Sequence, residues 1–296
     1  MNIGQDFQYA LRQLRRSPVF TATALLTLAL GIGVTTAMYS VVRSLLLEPL
    51  PYAAPDRLVA IAFQFPKEKP GAQQVGSVAD FLMQNAHSFS TFGVADGGTT
   101  GVNLAATTAG GRPFQVQQLR VSRDFLTTLG LHPALGRFFT ADEDRSGGPR
   151  AALLSHQLWQ TVFQSDPNIV GRTVHINGDD IPVVGVLPEG VLGDLLGGTT
   201  QSAPAGIWQP LQLGPKDPGY DGDNYQMIAR LRDGVSIQQA QSEMQSLLPQ
   251  FARSNRWYYK WTGPGHVLNE FHVWPLQTAL VGEIKSSLII LLGAVA

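Results

Sequence analysis

The chain has 296 residues, no cysteine, and a formal net charge of −1 from 21 basic and 22 acidic residues. That balance offers no basic footprint for nucleic acid, and the lack of cysteine excludes disulfides, thiolate metal sites and cysteine nucleophiles. Charged residues make up 15% of the chain, below the roughly 25% of soluble globular proteins.

Ile3, Phe7, Leu11 and Leu14 recur at helical spacing, with Asp6, Gln8, Arg12, Arg15 and Arg16 mainly elsewhere on the wheel. This pattern predicts a cytoplasmic amphipathic helix over 1–17, lying on the inner membrane surface and in contact with lipid. No charge occurs between Arg16 and Arg43. As a helix this run reaches roughly 35–40 Å, enough for a hydrocarbon core of about 30 Å, so 18–46 is read as transmembrane helix 1. Ser17 and Pro18 suit its start as N-cap and first-turn residue. A cleaved signal peptide is the rival reading. The run is longer than the usual apolar stretch of about 7–15 residues, and Ser17-Pro18 follows Arg15-Arg16 where a twin-arginine signal carries apolar residues. Arg12, Arg15 and Arg16 outweigh Arg43, which Glu48 and Asp56 follow, so the positive-inside rule puts the N-terminus in the cytoplasm and the bulk of the chain in the periplasm. Ala29, Gly33 and Ala37 form a small-residue seam that lets another helix approach.

Residues 47–284 form the outer region. Pro49, Pro51 and Pro55 predict an extended exit, followed by a strand over 58–65. Ser77 and Asp80 suggest a capping box opening a helix from Val78 to about Phe89. An alternating stretch follows over 114–121, then a helix over 123–129 closed by Gly130. Leu153-Leu154 reads as a strand, and Ser155 caps a helix holding Trp159 and Phe163. Val174–Asn177 and Ile181–Val186 flank Gly178-Asp179-Asp180 as a hairpin. Met227–Leu231 is a strand, Asp233-Gly234 a turn, and Ser236 caps a helix to about Ala252 with Ala240, Met244 and Leu247 or Leu248 inward. Strands and helices mix without a repeating β-α rhythm, so the fold class is α+β. From Ser286 to Ala296 the chain is again uncharged and increasingly apolar. Eleven helical residues cover about 16 Å, so 285–296 is read as the start of a truncated transmembrane helix 2.

Chemical motifs are missing or incomplete. The nearest approach to a P-loop is Gly282 with Lys285-Ser286, where Ile284 occupies the second glycine position. Asp142, Asp144, Ser146 and Gly147 imitate part of an EF-hand loop, but Leu153 stands where a bidentate Glu is needed, which predicts a solvated acidic turn. His87, His132, His156, His175, His266 and His272 never form a ligand pair. Ser155 and His156 are adjacent, with no nucleophile elbow. Trp257, Tyr258, Tyr259 and Trp261, near Arg253, Arg256 and Lys260, read as a segment packed on the core rather than a binding patch. No catalytic, cofactor-binding or metal residue is predicted, no cofactor is expected, and the chain is read as non-enzymatic.

An ordered set of motifs runs along nearly the whole chain. It begins with Arg12-Gln13-Leu14-Arg15-Arg16-Ser17-Pro18-Val19-Phe20-Thr21, Leu28-Ala29-Leu30-Gly31-Ile32-Gly33, Pro49-Leu50-Pro51-Tyr52 and Asp56-Arg57-Leu58-Val59. Outside the span it continues through Leu129-Gly130, Pro133, Gly136-Arg137 with Phe139, Glu143-Asp144, Leu154-Ser155-His156, Leu158-Trp159 and Phe163. Asp166-Pro167, Ile169-Val170-Gly171-Arg172, Asn177-Gly178, Val183-Val184-Gly185-Val186-Leu187-Pro188 and Trp208-Gln209-Pro210-Leu211 follow in order. Arg230-Leu231, Gly234-Val235-Ser236, Pro275-Leu276 and Leu291-Leu292-Gly293-Ala294 complete it. This set resembles FtsX-like ABC-transporter permeases of the MacB type.

The resemblance implies a four-helix permease core with a two-lobed, mixed α/β periplasmic core domain over 47–284 and a β-rich lobe inserted at about 120–207. It also implies an ABC ATPase subunit in trans, a second permease copy or half, and a periplasmic adaptor as partners. The expected function is that of an efflux or mechanotransmission permease fragment in the cell inner membrane. Its opening motif also resembles a branch with the permease unit duplicated in one chain. The alternatives are a single-span periplasmic sensor or binding module, and a membrane-tethered enzyme whose residues converge only in space.

Overall fold

The computed structural model describes residues 12, 16–42, 49–64, 71–105, 113–191, 204–215, 217, 220, 222, 224–254, 270–282 and 290. The expected amphipathic face of Ile3, Phe7, Leu11 and Leu14, the second span apart from Ile290, and the Trp257–Trp261 cluster lie outside them. The chain divides into two compact units, one carrying the N-terminal apolar helix and the other running from Leu50 to Gly282.

Helix α1, Pro18–Val42, spans 25 residues, and its Pro18–Ala37 portion is long and apolar enough to cross a membrane. Val19, Phe20, Leu26, Leu30 and Ile32 are all exposed, so its apolar surface is not confined to one buried face. Its hydroxyls turn inward on their own backbone. Thr23 donates to the Val19 carbonyl at 2.8 Å, Thr27 to Thr23 at 2.8 Å and Thr35 to Gly31 at 2.8 Å. A helix that satisfies its polar groups internally has a chemistry suited to lipid.

The second unit is built on a four-stranded antiparallel sheet. Strands β1 (Leu58–Gln64) and β3 (Phe89–Asp96) flank helix α2 (Gly76–Asn85) in sequence, with the two-residue β2 (Gln73–Gln74) before the helix. Much later come β11 (Tyr225–Leu231), helix α6 (Ile237–Ser254) and β12 (Glu270–Pro275). The spatial order is β3-β11-β1-β12, which is the split βαβ arrangement β-α-β-β-α-β. β1 lies at the centre and is buried on both faces, hence its unbroken apolar run. Val59, Ile61 and Phe63 meet α2 and α6 on one side, while Leu58 and Ala60 face the other.

Between β3 and β11 the chain makes a separate β structure. It comprises β4 (Thr100–Ala105), β5 (Phe114–Val121), helix α3 (Phe125–Thr128), β6 (Leu135–Gly136), the short helix α4 (Ala141–Asp144), β7 (Ala152–Leu154), helix α5 (His156–Thr161), β8 (Thr173–Ile176), β9 (Asp179–Val186) and β10 (Ile207–Pro210). Pairings run β5-β4-β8-β9-β7-β10 and return from β10 to β5. Six strands thus close into a ring, which removes exposed sheet edges. Val102, Val116, Leu154, Ile176, Val183 and Ile207 fill its interior. Alternate residues of the same strands, Leu119, Leu153, Val184 and Trp208, point outward into another core with Leu58, Ala60, Phe125 and Ile228 of the sheet side. The ring begins at Thr100 and ends at Pro210, so the expected lobe limits of 120 and 207 fall inside β5 and β10. β5 belongs to both lobes, pairing with β3 at Ala95↔Val121.

Several local expectations shift. The cap position of α2 is Val75, which makes no side-chain cap, and Asp80 instead accepts the Tyr220 hydroxyl at 2.6 Å. The helix stops at Asn85 because Phe89 enters β3. The β8–β9 turn is Asn177-Gly178, with φ of 52° and 89°, leaving Asp179 and Asp180 in β9. A two-residue hairpin of this hand needs positive φ at both positions, and Asn-Gly supplies it. Ser155 caps α5 through Leu158 N at 3.1 Å, and Ser236 with Gln239 forms a reciprocal cap at α6.

Candidate functional site

Polar side chains concentrate where the two lobes of the second unit join. Arg120 on β5 donates Nε and Nη2 to the two oxygens of Asp96, at 2.8 and 2.9 Å, and Nη1 to Asp217 at 3.0 Å. Asp96 ends the strand leaving the sheet, and Asp217 lies on the connection returning from the barrel. One guanidinium therefore braces both passages, in the forked geometry that arginine alone provides. Burial pushes the Asp96 carboxyl above its ordinary value despite this contact. Burial and the Asp217 charge push the neighbouring Tyr225 phenol up as well. A cleft of about 340 Å³ opens beside Arg120, lined also by Ser146, Arg150, Gln209 and Gln212. Arg150 is paired with Asp179, so both cations on this cleft have carboxylate partners.

The EF-hand-like segment adjoins this junction and is not a solvated turn throughout. Asp142 is exposed, but Asp144 accepts Arg123 N at 2.8 Å and Gln212 N at 3.1 Å, and burial raises its carboxyl. Gln212 also donates to the Glu143 and Gly148 carbonyls at 2.8 and 3.0 Å. The acidic residues thus staple the loop to the β10–β11 connection. Thr140 caps α4 while Glu143 reaches back to Thr140 N at 2.7 Å and grips Arg137 with both oxygens at 2.8 Å.

A second polar centre lies where the chain enters the sheet. Arg57 Nε and Nη2 donate to the Leu231 carbonyl at 3.0 and 2.6 Å, and Arg57 pairs with Asp233. Arg230 returns the contact, donating Nη1 to the Ala54 carbonyl at 3.2 Å and Nε to the Thr128 carbonyl at 3.0 Å. Register pairs Val59 with Pro275, so the entry to β1 and the exit from β12 lie at one end of the sheet. A larger groove of about 880 Å³ runs beside α5, between Gln115, Gln117, His156, Gln160, Pro188 and Gly206.

The histidines and the Ser155-His156 pair do not converge. His156 packs edge-on to Trp159 at 5.4 Å, His272 stacks on Trp274 at 5.3 Å, His175 meets Asp180, and His87 N donates to Glu243 at 2.7 Å. His266 is outside the described residues. Among the described residues no three His, Asp or Glu side chains are grouped to hold a metal. Sequence reasoning missed the functions of Arg57, Asp96, Arg120, Gln212 and Asp217. The side-chain partners named above lie 24 to 176 positions away, so no local pattern marks them.

A membrane-length helix joined to a split βαβ sheet with an inserted barrel defines a membrane-linked, two-lobed α/β domain. The chain belongs to the family described as MacB-like periplasmic core domain, which matches residues 21–247. Members are permeases of ABC-type transporters in the inner membrane and work with an ABC ATPase. Two solved structures share the fold. One is a permease-protein domain from Porphyromonas gingivalis, at 17% identity and TM-score 0.54, covering 76% of this chain and 91% of that one. The other is the periplasmic region of MacB from Actinobacillus actinomycetemcomitans, at 14% identity and TM-score 0.51, covering 83% and 98%. No curated protein matches the sequence.

Proposed function

We propose that this chain is the first span and outer domain of a permease that relays nucleotide-driven motion across the membrane. The observation that carries this reading is the register Val59↔Pro275. It brings the chain entering from α1 and the chain leaving through α7 (Leu276–Val281) to one end of the sheet, the arrangement two adjacent spans require. In this reading the N-terminus is cytoplasmic, residues 285–296 begin a second span, and the outer domain performs no chemistry. A second permease copy or half completes the membrane unit, an ABC ATPase drives it in trans, and a periplasmic adaptor receives the motion.

The test is purification of the full-length protein from membranes. It should bring down an ABC ATPase, and its presence should change that enzyme's turnover. A permease preparation free of any ATPase, with no effect on candidate ATPases, would remove the relay reading. Orientation is read separately with single cysteines in this cysteine-free chain. Gln157→Cys should react with an impermeant maleimide in intact spheroplasts, and Arg12→Cys only after lysis.

A further inference from the structure

We propose that Arg57 and Arg230 form a reciprocal clamp that locks an elbow at residues 52–57, where the chain enters the outer domain, making it the point where motion passes into the sheet. This inference rests on the relay function proposed above.

The elbow is held in a conformation it would not adopt alone. Ala54 lies in the left-handed region at φ 44° and ψ 65°, which is unfavourable for a residue with a Cβ and no side-chain hydrogen bond to offset it. Two donors converge on its carbonyl, Arg57 N at 3.1 Å and Arg230 Nη1 at 3.2 Å. The clamp works in both directions. Arg57 reaches from the elbow to the last carbonyl of β11, while Arg230 reaches from β11 back to the elbow.

The ligands chosen by these cations separate the clamp from an ordinary surface ion pair. Arg230 is held by hydrogen bonds to two backbone carbonyls, and its Nη2 is buried with no acceptor among the described residues. The Asp233 carboxylate that Arg57 touches is 94% exposed, so that pair is screened and contributes little. Arg230 is half-buried beside the Arg57 charge, and both effects weaken its protonated form. What the pair supplies is direction: planar forks that fix the elbow's backbone relative to β11.

Arg230 also extends the connection. Its Nε bonds the Thr128 carbonyl at the end of α3. Phe125 of the same helix lies against Trp208 on the barrel's outer wall, with ring centroids 6.4 Å apart. Gly93 on β3 lets the same helix lie against the sheet, because a Cβ there would stand 2.7 Å from the Phe125 Cα. Elbow, sheet and barrel thus share one helix.

Hydrogen exchange on the full-length protein with its ATPase in nanodiscs tests the clamp, using Arg57→Lys and Arg230→Lys, which keep the charge and lose the fork. In the resting state the Tyr52 and Arg57 amides should exchange about tenfold faster in either variant, the scale of one lost charge-assisted bond. The β8–β9 amides should stay as in wild type, showing that the domain is folded. On adding ATP, the wild type should change exchange around Trp208 and the variants should not. Wild-type elbow exchange in both variants, or an undiminished nucleotide response, overturns the clamp. If the wild type shows no nucleotide response, the relay function falls instead, and resting elbow exchange still decides whether the clamp exists.

Discussion

Ala54 and Glu143 show how much single residues carry. Ala54→Gly relieves a left-handed backbone but gives the unfolded chain more freedom, so the net gain is about 0.5 kcal/mol, read as a small rise in melting temperature. Glu143 is held below its ordinary value chiefly by Arg137, with Thr140 contributing. A carboxylate with a depressed folded pKa stabilises above its unfolded value and loses that contribution as pH falls through the folded one. The Glu143 contribution is therefore complete above about pH 5 and fades on acidification below the ordinary value of 4.5. Glu143→Gln should cost about 1–2 kcal/mol at neutral pH, and urea titrations should show the variant and wild type converging towards pH 3. A constant gap would mean that the ion pair is not the stabilising contact. Trp208 separates packing from polarity. It is 1% exposed with its Nε1 buried and without a partner among the described residues, so Trp208→Phe should be nearly neutral, while Trp208→Ala should cost about 3–5 kcal/mol.

Elements are positioned by a few close approaches and edge contacts. β6 crosses β9 so tightly that a Cβ on Gly136 would meet the Val184 carbonyl at 2.3 Å, and Gly136 also has φ +71°. Gly136→Ala should therefore unfold or severely loosen the barrel, while Gly171→Ala, where only positive φ opposes it, should cost about 1 kcal/mol. Comparing the two melting curves separates close approach from conformational preference. The outer edge of β12 is capped by a helix. Gln241 on α6 donates to the Phe271 carbonyl at 2.6 Å and accepts Val273 N at 2.8 Å, and Gln245 adds a bond at 3.0 Å. A side-chain amide thus takes the place of a neighbouring strand and blunts an edge open to pairing. Gln241→Ala should speed exchange at the Val273 amide and raise concentration-dependent association in light scattering.

The split βαβ lobe and the barrel do not melt as strangers, because they bury one core in common. Leu119, Leu153 and Trp208 from the barrel pack with Leu58, Ala60 and Ile228 from the sheet, and β5 pairs in both. The outer domain should unfold in a single cooperative transition, with tryptophan fluorescence and far-UV dichroism coincident. Arg120→Met removes the brace on Asp96 and Asp217 without opening that core, so it should lower the midpoint and leave a single transition. Two separated transitions in the wild type would show that the shared core does not couple the lobes. A stable joint also suits the proposed relay, since a displacement entering at β1 reaches the barrel only if the junction does not yield.

Sequence pattern was enough wherever chemistry is local. The uncharged run marked α1, because membrane length and missing charge are properties of consecutive residues. Apolarity from Leu58 onward and alternation in Phe114–Val121 marked two strands, while only the fold shows that β1 is buried on both faces and that β5 lies between two cores. Ser155 and Ser236 announced their helices, since a cap and its amide lie three residues apart. Family motifs such as Gly136-Arg137 and Gly185 were legible as words but not as physics. Only the fold shows that both glycines permit a backbone crossing and that Arg137 secures a capping box. Ring closure of the barrel and the Arg120 and Arg57–Arg230 networks were not legible at all. Each joins residues tens to more than a hundred positions apart, and local periodicity carries no information about which distant segment will supply the partner. The sequence by itself determined the elements and the membrane helix, because short-range sterics and hydration decide those. The tertiary structure decided which polar groups meet, because that depends on how chain closure brings remote segments together.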